Sequence, residues 1–316
     1  MAVDSGTTST RAWLVDEGEV RGQAAARAGA RDLARAKGAG WLAGQVREVA
    51  DRALAAGRSH WDEVEAVVAF GMVTSELGLE ELPHLKAPVD RHTLAGGMEE
   101  RSYPEHLPVP ILLVPGVLYT ADGGVARADF MRGEETEVMG LLSTGRPACP
   151  FMFVSSGSHS KFVVVDDDAR IAWSFTTLSG ELLWALHRET ILAGLIDPDG
   201  GATDREAVEE GSRVAREAGL SRALFVTRLL NRLQGADPET CSAFVHGAVA
   251  EADLSALEQR ADDRLPGRVA LSGRGALAVV YRQLLEDRPW TTEVRRVEEP
   301  LGAMGAWELY AYAARG

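Results

Sequence analysis

The sequence predicts an α/β protein of two domains related by duplication, and three observations carry that expectation. A short turn of small, hydroxyl-bearing residues is written twice. Each copy opens a half in which strand-like and helix-like segments alternate. At 316 residues the chain is long enough to bury a sizeable core in each half.

The two turns read VDSGTTSTRAWLVD (residues 3–16) and VSSGSHSKFVVVD (residues 154–166). Val154 falls under Val3, Ser155 under Asp4, Ser156 under Ser5 and Gly157 under Gly6. With Thr10 skipped, Lys161 falls under Arg11, and in both copies an apolar run then ends at an Asp.

In the first half, a strand pair (Ala2–Val3 and Ala12–Val15) flanks the turn. A helix is expected from Gly40 to Ala56, where Trp41, Leu42, Val46, Val49, Ala53 and Leu54 share one face. Val64–Met72 reads as a buried strand ending at Gly71. Prolines crowd residues 83–115, so loops and short strands are expected there, with Val109–Gly116 as a buried strand. Met131–Leu142 is expected to be helical from about Glu134. The pattern then restarts. Phe151–Val154 and Phe162–Val165 form a second hairpin, and Arg170–Leu183 a strand running into a helix. Residues 204–261 are mainly helical with a break at Asp237–Pro238, and Arg268–Glu286 reads strand, glycine turn, helix. A final helix starts among Gly302, Ala303, Gly305 and Ala306. The boundary is expected near Arg146, giving domains 1–145 and 146–316, with the last helix packing back at their junction.

Composition narrows the function. Hydrophobic content of 46% and charged content of 25% are ordinary globular values. A net charge of −14, with no basic run, argues against nucleic-acid or anionic-membrane partners. No apolar run approaches about 18 residues and no signal peptide precedes the first strand, so a cytoplasmic location is expected. Two cysteines, Cys149 and Cys241, leave no room for a disulfide framework or a cysteine zinc site.

A tight turn rich in Gly, Ser and Thr aims backbone N–H groups and hydroxyls at one point, a way to hold phosphate oxygens without net positive charge. Ser5, Gly6, Thr7 and Thr8 would do so in the first copy, and Ser156, Gly157, Ser158, His159 and Lys161 in the second. Asp4 would bind a phosphate-associated Mg²⁺ through waters. Two turns gripping one phosphate chain need only one metal carboxylate, so Ser155 in place of Asp4 fits a division of labour. For either turn alone, a plain β-hairpin is the simpler reading; two copies shift the balance to phosphate. A third glycine turn, LSGRGA (Leu271–Ala276), opens a helix whose N-terminus, with Gly273 and Gly275, suits a nucleotide's adenosine or α-phosphate side.

This layout resembles the sugar kinase, Hsp70 and actin superfamily, whose first turn, Asp-x-Gly-Thr-Thr, is matched by Asp4, Gly6, Thr7 and Thr8. More closely, the chain resembles the 2-dehydro-3-deoxygalactonokinase family through DSGTTSTRAWLV, GMVTSELGL, PHLKAP, VPGV, MRGEETEVMGLL, SGSHSKFV and TTLSGELL. These run in order from residue 4 to 183 and recur faintly to the C-terminus. Ser9 stands where relatives tend to have Asn, and Ser156 where they tend to have Pro; both leave the donors in place. The resemblance implies two ribonuclease H-like domains facing across a nucleotide cleft. It also implies ATP and Mg²⁺ as cofactors and 2-dehydro-3-deoxy-D-galactonate as the substrate, phosphorylated on its terminal hydroxyl.

Phosphoryl transfer to an alcohol needs a group that accepts the hydroxyl proton. Glu134 and Glu135 open a helix, where the helix dipole alone favours acids; the resemblance tips one of them towards the base. Neighbours on a helix point about 100° apart, so one of the two reaches substrate. Arg132 and Arg11 could grip a substrate carboxylate bidentately or pair with a nearby acid. Met72, Thr74 and Ser75 follow a buried strand, where ligand contacts gather; Thr74 and Ser75 could bond sugar hydroxyls, or Ser75 could cap a helix. Lys161 could neutralise phosphate or be a solvated hairpin residue, and His84 reads as structural. Glu181 could bind a hydroxyl or cap its helix. The rival readings are a phosphohydrolase of the same superfamily, which would release phosphate from ATP without sugar, and a non-catalytic nucleotide- or sugar-binding regulator, which would bind without turnover. A homodimer is compatible with the sequence.

Overall fold

The structure is a computed structural model and describes residues 1–6, 9–27, 38–121, 124–145, 147–200, 203–261, 264–273, 275–298 and 300–315. The chain forms two compact units. Residues 1–149, 166–174 and 299–316 make the first, and residues 150–165 and 175–298 the second. The C-terminal segment and a short stretch after the second hairpin thus belong to the first unit. Arg146 lies outside the described residues.

The first unit begins β1 (Ala2–Ser5), β2 (Thr10–Asp16), β3 (Glu19–Ala26), α1 (Gly38–Gly57) and β4 (Val67–Gly71). It continues β5 (Leu85–Lys86), α2 (Arg91–Gly96), β6 (Glu99–Arg101), β7 (Ile111–Leu113), β8 (Val117–Tyr119), β9 (Asp129–Met131) and α3 (Glu134–Ser143). Among the described residues, a six-stranded sheet has the order β3-β2-β1-β4-β7-β6, and β5, β8 and β9 form a small separate sheet. β4 is buried at every position and carries no charged residue, as expected of a parallel strand covered on both faces. The core gathers Val3 and Ala12 from the hairpin, Val46, Val49 and Ala53 from the apolar face of α1, and Val67, Ala69, Ile111 and Leu113 from the central strands.

The second unit contains β10 (Phe151–Ser156), β11 (Ser160–Val165), the end of β12 (Ile171–Thr177), α4 (Ser179–Glu189), α5 (Arg205–Ala218) and α6 (Leu220–Leu229), which runs into a π-helical turn. Then come α7 (Pro238–Ala261), β13 (Arg268–Ser272), α8 (Ala276–Glu286) and β14 (Glu293–Arg296). α7 is buried along most of its length, from Cys241 to Leu257, as befits a core helix. The sheet order β12-β11-β10-β13-β14 repeats β3-β2-β1-β4-β7 strand for strand. The directions repeat too. The opening hairpins are antiparallel, and the next two pairings in each sheet are parallel.

The last helix, α9 (Leu301–Ala313), belongs to the first unit and packs on α3. Their backbones meet so closely that a Cβ on Gly305 would stand 1.8 Å from the Thr136 carbonyl oxygen. No helix among the described residues is long and apolar enough to cross a membrane.

Candidate active site

The two turns occupy the same place in the two sheets. In the first, Asp4 pairs with Arg11 across β1 and β2; in the second, Ser155 pairs with Lys161 across β10 and β11. The strand that follows in parallel also ends alike. Gly71, at the end of β4 with φ +85°, would place a Cβ 2.7 Å from the Ser5 carbonyl oxygen. Gly273, just beyond β13 with φ +124°, would place one 2.8 Å from that of Ser156. Both conformations are ones that side chains resist, and both keep the backbone hard against the turn.

In the first unit, the Gly6 N–H donates to the Ser9 carbonyl at 2.8 Å and closes the turn; Thr7 and Thr8 lie outside the described residues. Ser5 is fully buried, its hydroxyl without a hydrogen-bond partner among the described residues. The Arg11 guanidinium stands 2.8 Å from Asp4 Oδ2, so Arg11 pairs with a nearby acid, and half of its side chain stays exposed. Burial pushes the Asp4 carboxyl above its ordinary range; Arg11 pulls it down and the charge of Glu134 pushes it further up.

α3 begins one residue beyond Gly133, whose φ of +115° brings it against Gly71: a Cβ there would lie 3.5 Å from the Gly71 Cα. The adjacent carboxylates then part ways. Glu135 turns inward, has no exposed surface, and accepts the Gly133 N–H with both oxygens at 2.8 and 2.7 Å; the Thr136 hydroxyl adds a bond at 3.2 Å. It caps its own helix. Burial, then Glu134, raises its carboxyl to about 7. Glu134 is half-buried, and its charge is felt at Asp4, Glu135 and Glu137. Glu137 was not singled out from sequence. Burial, followed by Glu134 and Asp4, raises it to about 8 against the opposing pull of Arg11. The available signal was its spacing of three from Glu134, which puts both on one helix face.

Thr74 and Arg132 are joined, as Arg132 Nη1 donates to the Thr74 hydroxyl at 3.0 Å, which itself donates to the Gly71 carbonyl at 3.1 Å. Arg132 Nη2 donates to the Leu82 carbonyl at 2.7 Å and lies 3.5 Å from His84 Nδ1, so His84 helps hold the arginine, as a structural residue would. The Ser75 hydroxyl donates to the Met72 carbonyl at 2.8 Å and accepts the Leu77 N–H at 3.2 Å; it is buried and stabilises its own turn. Within this unit, Asp4, Arg11, Met72, Thr74, Ser75, Arg132, Glu134 and Glu135 thus gather around the C-terminal ends of β1 and β4.

In the second unit, the Gly157 N–H donates to the His159 carbonyl at 3.2 Å. Lys161 is buried, which excludes a solvated hairpin role. Glu181, expected to bind substrate, lies beside the turn: its N–H donates to the Ser158 carbonyl at 2.9 Å, and its carboxylate is 3.9 Å from His159 Nε2. Gly275 caps α8, accepting the Ala278 N–H at 3.1 Å. Asp253 and Tyr281, behind this turn, were also missed from sequence. In a helical stretch, an Asp reads as solvated and a Tyr as core.

A hydrated divalent cation fits Asp4. Its carboxylate is taken out of water among further acids, with Arg11 as the cation bonded to it, so a bound metal would offset that cost. Among the described residues, no three His, Cys, Asp or Glu side chains converge on one point. Asp4 would therefore act as a lone protein carboxylate, with water and phosphate completing the shell, as Mg²⁺ tolerates.

The family model described as 2-keto-3-deoxy-galactonokinase matches residues 4–309. A comparison with curated proteins gives no match. Among solved structures, a candidate 2-dehydro-3-deoxygalactonokinase from Sinorhizobium meliloti superposes with a TM-score of 0.77 at 24% identity, covering 99% of this chain and 97% of that one. The activator of the 2-hydroxyisocaproyl-CoA dehydratase from Clostridium difficile, solved with ADPNP bound, gives a TM-score of 0.53 at 12% identity, covering 99% and 94%. Both share the sugar kinase and actin-like fold.

Proposed function

We propose that this chain, which belongs to the 2-keto-3-deoxy-galactonokinase family and is a carbohydrate kinase, transfers the γ-phosphoryl group of ATP to the terminal hydroxyl of 2-dehydro-3-deoxy-D-galactonate. The observation that carries the mechanism is Gly71 set against both the Asp4 carboxylate and Gly133, the residue before Glu134.

In this reading Glu134 is the base. The substrate oxygen attacks the γ-phosphorus, the bond to the leaving β-phosphate oxygen breaks, and the hydroxyl proton passes to Glu134. Glu135 cannot compete for that proton while it is buried and bonded to its own helix terminus. Asp4 would hold Mg²⁺, which when bound neutralises charge developing on the phosphate oxygens. Arg11 keeps the Asp4 carboxylate oriented. Arg132, held in place by the buried Thr74, would receive the sugar acid, its guanidinium meeting the anionic handle with positive charge. We assign nucleotide phosphate binding to the backbone of the first turn and, in the second unit, to Ser156, Gly157, Ser158, His159 and Lys161. Gly273 and Gly275 take the adenosine side.

The test is ADP release over a panel of 2-keto-3-deoxy sugar acids that includes the epimers at C4 and C5. The expected result is acid-dependent release, fastest with the D-galactonate derivative. No acid-dependent release, or equally fast phosphate release from ATP alone, would refute the proposal, the latter in favour of a phosphohydrolase.

A further inference from the structure

Behind the second turn, three hydroxyl groups converge on one buried oxygen. Asp253 on α7 is 7% exposed, and its Oδ2 accepts from Thr177 at 3.0 Å, from Ser179 and from Tyr281. Thr177 ends β12, Ser179 begins α4 and Tyr281 lies on α8, so one carboxylate ties four elements together. Thr177 and Ser179 also bond each other at 2.9 Å. Tyr281 has no exposed surface, and its ring stands edge-on to Phe162 of β11 at 5.5 Å.

A buried carboxylate is a costly way to pack helices, since an apolar side chain would do so without the desolvation penalty. That penalty is visible in Asp253, which burial holds above the ordinary carboxylate range even against three donated hydrogen bonds. What the group supplies is position. The residue after Ser179 is Gly180, and it is pressed into the turn: a Cβ there would stand 2.1 Å from the Gly157 carbonyl oxygen and 2.9 Å from the Ser158 Cα. The next residue, Glu181, donates its N–H to the Ser158 carbonyl at 2.9 Å. The start of α4 is therefore the seat on which Gly157 and Ser158 rest, and Asp253 fixes that seat.

We propose that Asp253 is a positioning residue for the turn Ser156–Lys161, setting through Ser179 and the start of α4 the geometry with which that turn binds nucleotide phosphate. The proposal rests on the reading that the turn holds phosphate. Asp253 itself is one element removed from the ligand, so its effect should appear in nucleotide affinity and leave sugar-acid affinity alone.

The experiment is equilibrium binding of a non-hydrolysable ATP analogue with Mg²⁺, beside thermal unfolding, on wild type, Asp253→Ala, Asp253→Asn, Ser179→Ala, Tyr281→Phe and the turn variant Lys161→Met. The expected result is analogue Kd raised about tenfold by Asp253→Ala, with Asn intermediate because it keeps an acceptor oxygen. Ser179→Ala should raise it about threefold and add little on top of Asp253→Ala, as coupled groups do. The KM for sugar acid should stay within about twofold. If Lys161→Met weakens the analogue while the Asp253, Ser179 and Tyr281 variants lower only the melting temperature, the positioning role is overturned and the phosphate reading stands. If Lys161→Met also leaves binding unchanged, both fall. Should Asp253→Ala fail to fold, Ser179→Ala and Tyr281→Phe decide the question alone.

Discussion

Asp4 and Arg11 face each other across β1 and β2 with 2.8 Å between guanidinium and carboxylate, and Ser155 and Lys161 hold the same register in the second sheet. The duplicated hairpin has kept its cation and lost its acid. A carboxylate beside phosphate is useful where a metal stands between them and repulsive where none does. Under the proposed function, one copy would hold a metal and the other would meet phosphate directly.

Glu134 and Glu135 should separate in mutagenesis. Glu134→Gln is expected to lower kcat by about two to four orders of magnitude, the usual worth of a general base, with the melting temperature little changed. Glu135→Ala is expected to act on the fold, removing a helix cap worth about 0.5–2 kcal/mol. Steady-state kinetics and thermal unfolding on both variants check this. A larger kcat loss in a folded Glu135→Gln than in Glu134→Gln would reverse the assignment.

The acids at the start of α3 make stability depend on pH. Glu135 and Glu137 are raised to about 7 and about 8 in the folded chain, above their ordinary value of 4.5. Between pH 4.5 and 8 the folded state therefore binds more protons than the unfolded one, and stability falls as pH rises through that window. Without nucleotide or metal, the melting temperature should drop by several degrees from pH 5.5 to pH 8. Glu137→Gln should flatten the drop. A melting temperature rising over that range would contradict the electrostatics described for α3.

Gly71→Ala is expected to destabilise the chain by about 1–3 kcal/mol, since it forces a side chain into φ +85° and against the Ser5 carbonyl. Gly44→Ala is the control. It lies within α1 with no atom within 4 Å of the added methyl, and should stabilise by up to about 1 kcal/mol. Denaturant unfolding measures both.

The repeated hairpin could be read from sequence because a two-residue strand period and a glycine turn leave a local signature; the alignment of Asp4 with Ser155 and Arg11 with Lys161 is the register found. β4, β13, α1, the α3 start and the helical stretch 205–261 were legible because apolar runs, helical periodicity and turn residues mark them locally. β3 was not, because three alanines, a glycine and two charged residues leave Val20 as its one strong strand former. Val109–Gly116 shortens to Ile111–Leu113 because prolines at 110 and 115 remove ladder donors. The inward turn of Glu135, the approach of Gly71 to Ser5 and the gathering of hydroxyls on Asp253 depend on partners distant in the fold. No local pattern announces them.

The most direct measurement is ADP release by Asp4→Asn and Ser155→Ala at saturating Mg²⁺, ATP and sugar acid. Asp4→Asn is expected to lower kcat by about a hundredfold or more, the scale for losing charge stabilisation at a phosphoryl centre. Ser155→Ala should stay within about threefold of wild type. Comparable losses in the two variants would contradict the division of labour between the turns.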